Sequence, residues 1–96
     1  MLDTRIARHW DDEIVPQLVD YIRLPAKSPH FDPEWRGHGH IAASIAQARA
    51  WAARQDIKGL QLEVIELEGR TPVLFFDVPA RGTGAPQRTV VFYGHL

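Results

Sequence analysis

The sequence predicts an α/β chain in which two N-terminal helices precede three strands. Two observations carry this. Apolar residues recur at steps of three and four through the first half of the chain, and beyond Gly59 the period shortens to two. A third observation places the strands, for the apolar runs of the second half are rich in Val, Ile, Phe and Tyr, which fit a pleated surface.

From Asp3 to Arg23, Ile6, Trp10, Ile14, Val15, Leu18, Val19 and Ile22 form the stripe of an amphipathic helix. Pro16 lies inside this run. Its ring opposes the carbonyl of Asp12 and it has no N–H to donate, so the helix is expected to kink or restart near Asp11–Glu13. Pro25, Pro29 and Pro33 then make the segment from Leu24 to Pro33 a stiff surface connection. Between about Trp35 and Gln55, Ile41, Ile45, Ala48 and Ala52 share one stripe of a second helix, whose alanines raise its propensity, with Gly59 as a stop.

Leu60, Leu62 and Val64 alternate with Gln61 and Glu63, the pattern of a half-exposed strand. Glu68–Pro72 can turn the chain into a second strand, Val73–Val78, closed by Pro79, whose near-continuous apolarity predicts burial on both faces. Arg81–Pro86 reads as a loop, and Thr89–Tyr93 as a third strand. An apolar strand directly before Gly94-His95-Leu96 leads us to expect a truncated domain, residues 1–96 being its N-terminal part with no second domain.

Ninety-six residues allow one core. Hydrophobic residues at 45 % and charged residues at 24 % are ordinary for folded protein, and a net charge of −1 gives no basic footprint for nucleic acid or an anionic membrane. With no cysteine, thiolate zinc sites, disulfides and a cysteine nucleophile are excluded, so any metal must be held by His and carboxylates. Neither a signal peptide nor a membrane span is evident, and a soluble cytoplasmic protein is the expectation.

Five histidines bear on chemistry. His38-Gly39-His40 places two imidazoles two residues apart, but on one helix they would diverge by roughly 200°, and no carboxylate stands at ligand spacing. These two, like His9 and His30, read as surface or edge-of-core residues. Gly82-Thr83-Gly84 lacks the lysine and following helix of a phosphate loop and reads as a turn. Asp11-Asp12 and the Glu66, Glu68 pair read as solvated faces. His95 differs by position: in open α/β sheets ligands bind beyond the carboxyl ends of strands, and only Gly94 separates it from the third predicted strand.

The runs Ile14–Pro29, Phe31–Trp35, Glu68–Leu74 and Val91-Phe92-Tyr93-Gly94-His95-Leu96 resemble the start of bacterial carnosinase-like dipeptidases. These belong to the zinc metallopeptidase superfamily that includes glutamate carboxypeptidase, aminoacylase, acetylornithine deacetylase and succinyl-diaminopimelate desuccinylase. The resemblance implies the start of a mixed-sheet zinc exopeptidase catalytic domain. In the family pattern Gly-His-x-Asp-x-x-Pro, Gly94 and His95 match the first two positions and Leu96 the variable one, so the resemblance makes His95 a zinc ligand. The orienting Asp would be residue 97. It further implies two Zn2+ ions activating a water for hydrolysis of dipeptides or short peptides, and a homodimeric parent. This chain carries one of the ligands, so it is not expected to assemble the zinc site or to be active, and none of its residues is assigned a catalytic role. It is expected to self-associate through an exposed strand. The alternatives are a deacylase of the same superfamily and a non-enzymatic α/β interaction module.

Overall fold

The computed structural model describes residues 1–82, 84 and 88–96. Thr83 of the Gly82–Gly84 turn, and Ala85 and Pro86 of the expected loop, lie outside the described residues. Helix α1 spans Leu2–His9 and helix α2 Val15–Arg23, joined without a break by a π-helical turn, Trp10–Ile14. Pro16 accounts for the turn: with no N–H at position 16 the α-helical bond to Asp12 cannot form, and the Val15 N–H reaches five residues back to the Trp10 carbonyl. The interruption therefore falls where the sequence puts it. Leu24 ends α2 in an extended conformation (φ −73°, ψ 118°), as the residue before a proline must.

After the proline-rich connection, Phe31 and Asp32 donate their N–H groups to the Ser28 carbonyl, both at 2.9 Å, turning the chain toward helix α3, Trp35–His38. Helix α4 is His40–Ala53. The single helix expected over this region is thus divided at Gly39, whose left-handed backbone (φ 75°, ψ 4°) closes α3 and opens α4. Gly39 donates to the Trp35 carbonyl at 3.3 Å and accepts from the Ala43 N–H at 2.9 Å. The stripe of α4 holds as read: Ile45 and Ala52 are buried, Ile41 and Ala48 half-buried. Buried Ser44 donates its hydroxyl to the His40 carbonyl at 3.0 Å, which spares it an unpaired polar atom.

Strands β1 (Gln61–Ile65) and β2 (Val73–Asp77) form an antiparallel pair in which Leu62 faces Phe76 and Val64 faces Leu74. The intervening turn rests on Gly69 at φ 73° and a bond from the Arg70 N–H to the Leu67 carbonyl. Helix α4 packs on this hairpin, and Leu62, Val64 and Leu74 are half-buried. Gln47 Nε2 donates to the Gln17 carbonyl at 3.0 Å, tying α4 to α2.

The chain is thus mixed α and β, with two departures from expectation. First, β2 is not buried on both faces: Val73, Phe75, Phe76 and Val78 are about half exposed, because one helix lies over one face of a two-stranded sheet and no layer among the described residues covers the other. Second, the expected third strand is absent from the sheet. Residues 88–96 carry no regular structure, and Val90 to Tyr93 are exposed. Strand propensity expresses packing against a paired neighbour, and this segment has none among the described residues.

Few side chains are withdrawn from water. The accessible surface is 8435 Å2, against about 5,600 Å2 for a folded monomer of this mass. The radius of gyration is 16.5 Å, against about 12.5 Å for a compact domain of this length. Much of the first stripe lies open, from Ile6 and Trp10 to Ile22. No helix is long and apolar enough to cross a membrane among the described residues.

Candidate functional site

Two histidine centres stand out. The first is built by the turn into α3 and the glycine break after it. His38, the last residue of α3, places Nδ1 2.8 Å from Asp32 Oδ2. The Asp32 side chain is only 16 % exposed, while that of His38 is 55 % exposed, so the carboxylate is the shielded partner and the imidazole reaches water. The His38 hydrogen bond holds the Asp32 carboxyl below its usual range against a partial burial that pushes it up; the His38 charge, the Glu34 backbone N–H and the His40 charge add to the lowering. The rings of His38 and His40 have centres 6.1 Å apart and planes 33° apart.

This geometry removes one of the two grounds on which the sequence sets the pair aside and alters the other. Left-handed Gly39 takes the two residues off a common helix, so the 200° divergence does not apply. A carboxylate does reach the pair, Asp32, six residues upstream and brought back by the Ser28 turn, but it hydrogen-bonds His38 and adds no third ligand among the described residues. The signal available in the sequence was the Asp-Pro step just ahead of a short helix, a place where an aspartate side chain turns back on nearby groups.

The second centre is His95. It is exposed, and its Nδ1 lies 3.1 Å from Tyr93 Oη. If Nδ1 carries the proton and donates to the phenol oxygen, Nε2 presents the lone pair a metal requires. The strand end expected to carry His95 is not formed. A catalytic zinc takes about three protein ligands, and among the described residues no group of three or more His, Asp or Glu gathers to hold one. The residues described around His95 therefore do not by themselves fit a zinc centre.

The other features separate. His30 stacks edge-on against Phe31, with ring centres 5.0 Å apart, and His9 is exposed in the last turn of α1. A shallow groove of about 430 Å3 runs between the α3–α4 segment and the hairpin turn, lined by Trp35, Arg36, Glu66, Glu68 and Arg70. There the Arg36 guanidinium stands 5.0 Å over the Trp35 ring. Asp11 and Asp12 are exposed on the π-helical turn, as are Glu66 and Glu68 on the hairpin connection.

No family model matches the chain. Compared with curated proteins, it matches none.

Proposed function

We propose that this chain is the leading segment of a metal-dependent peptidase catalytic domain, in which His95 supplies one ligand of a two-zinc centre that hydrolyses dipeptides or short peptides. The observation that carries the reading is the Val91–His95 segment: an apolar run, a glycine and a histidine in the order of the Gly-His-x-Asp-x-x-Pro pattern. Metal-bound water would supply the nucleophile, which suits a chain with no cysteine. The open surface supports it as well. The excess over a folded monomer is about 2,800 Å2 on this one chain, and Val90, Val91, Phe92 and Tyr93 are 75 %, 86 %, 90 % and 87 % exposed. A catalytic domain packed against these residues would cover them.

On this reading the 96 residues alone are inactive, because one imidazole cannot retain a catalytic zinc. The test has two arms. The coding sequence beyond Leu96 should read Asp at position 97 and Pro at position 100. The gene product, loaded with zinc, should cleave dipeptides, and His95→Ala should abolish turnover while lowering bound zinc measured by elemental analysis. A continuation lacking an acidic residue at 97, or unchanged zinc content and turnover in the variant, would sink the assignment.

The open edges of the hairpin favour a second reading, an α/β module that pairs through strand addition, with Val90–Tyr93 as the added strand. It predicts a dimer that dissociates when Phe92 is replaced by Lys, read by light scattering, and no hydrolysis by the gene product.

A further inference from the structure

We propose that His38 and His40 form a two-imidazole site for a borderline divalent transition ion such as Zn2+ or Cu2+, with Asp32 orienting His38. The inference is independent of the peptidase reading, which concerns His95.

The ring spacing comes first. With a metal–nitrogen bond of about 2.0 Å and about 1.1 Å more from nitrogen to ring centre, two imidazoles on one ion have centres no more than about 6.2 Å apart. The observed 6.1 Å lies just inside that ceiling. A tetrahedral angle at the ion corresponds to about 5.1 Å, so a tetrahedral site needs about 1 Å of approach. His38, with its side chain 55 % exposed at the end of its helix, can supply it provided the Asp32 carboxylate bonded to it moves with it.

The carboxylate comes second. Metal-bound histidines usually give their other ring N–H to a carboxylate, which fixes the tautomer and makes the ligating nitrogen more basic. Asp32 Oδ2 stands 2.8 Å from His38 Nδ1 and assigns Nε2 to the ion. The carboxylate is the more shielded of the two, its side chain 16 % exposed against 55 % for His38, so the acceptor is the better-anchored partner of this hydrogen bond.

The backbone comes third. Gly39 at φ 75° is what brings residues 38 and 40 together, and other residues adopt that conformation at a cost. The described residues contribute two nitrogens and no third protein ligand, so water fills the remaining positions. Imidazole donors select Zn2+, Ni2+ and Cu2+ over Mg2+ and Ca2+, and Cu2+ should bind tighter than Zn2+.

The experiment titrates the full chain with zinc chloride, followed by calorimetry and by the imidazole resonances of the five histidines. One ion per chain should shift the His38 and His40 signals together at the same equivalents. His38→Ala and His40→Ala should each weaken binding at least 10-fold, and Asp32→Asn about 10-fold. His95→Ala should leave that step unchanged. The joint shift is read on the unaltered protein, so a variant that fails to fold leaves the test intact. Shifts of His38 and His40 at different zinc concentrations, or a zinc step that follows His95 instead, would overturn the proposal.

Discussion

Ile45 is the perturbation that weighs the core of this chain most directly. It is 8 % exposed on the face of α4, and among the described residues only Ala52 joins it as a buried apolar residue. Ile45→Ala removes three carbons from that site, which at about 0.8 kcal/mol per buried methylene is about 2.5 kcal/mol of transfer free energy. The cavity adds little, because a thin core with water nearby collapses readily, and the total belongs at the low end of the about 2–5 kcal/mol range for such truncations. A chain of this length is held by about 5 kcal/mol when marginal, so one substitution removes about half. Urea unfolding followed by far-ultraviolet circular dichroism measures it: with a slope of about 1.2 kcal/mol/M the midpoint should fall by about 2 M. Ile22→Ala is the control, since Ile22 is 75 % exposed and its loss should stay within about 0.5 kcal/mol. Equal shifts for the two variants would refute the placement of the core on α4.

Two further outcomes test local features. The Asp32 carboxyl, followed by NMR, should titrate below its ordinary value of 3.8, and His38→Ala should raise it toward that value. Its contribution to stability is present above the unfolded-state value and lost as pH falls through the depressed folded value, so the wild type but not the variant should lose that increment in this acid window; an unmoved Asp32 midpoint would contradict the pairing. Pro16→Ala should change stability by less than about 1 kcal/mol, because the recovered hydrogen bond, about 0.5–1.5 kcal/mol, is offset by about 0.4–1 kcal/mol of lost stiffness in the unfolded chain. A gain near 3 kcal/mol would mean that the π-helical turn does not relieve the proline.

Local features of the fold were legible in the sequence, and features that depend on a neighbouring layer were not. Pro16 marks the helix interruption because the missing N–H is a property of one residue, and the Ile41, Ile45, Ala48, Ala52 stripe is a property of one helix. The burial of Val73–Val78 depends on what lies over the second face, and pairing of Val90–Tyr93 depends on an available edge; neither is encoded in the segment itself. The Asp32–His38 contact was missed for a different reason. It spans six residues across a turn and a four-residue helix, so neither the helical nor the strand period reports it, and left-handed Gly39 breaks the helical phase assumed for His40.

The two histidine centres differ in what holds them, and this separates their behaviour. His38 and His40 are positioned by residues 28–43: the Ser28 turn, the Asp32 carboxylate, the left-handed Gly39 and the first turn of α4. All these bonds are local, so the pair keeps its spacing whether or not the apolar surface elsewhere is covered. His95 follows four residues that are each at least 75 % exposed, and Tyr93 Oη is its hydrogen-bond partner. Its placement is therefore not fixed by packing among the described residues. Zinc binding by the first centre should persist in the 96-residue chain, whereas a zinc centre at His95 should form only when that apolar segment is covered. If zinc titration of the chain shows the His95 ring responding first, the local bonds around Asp32 are not what organises metal binding here.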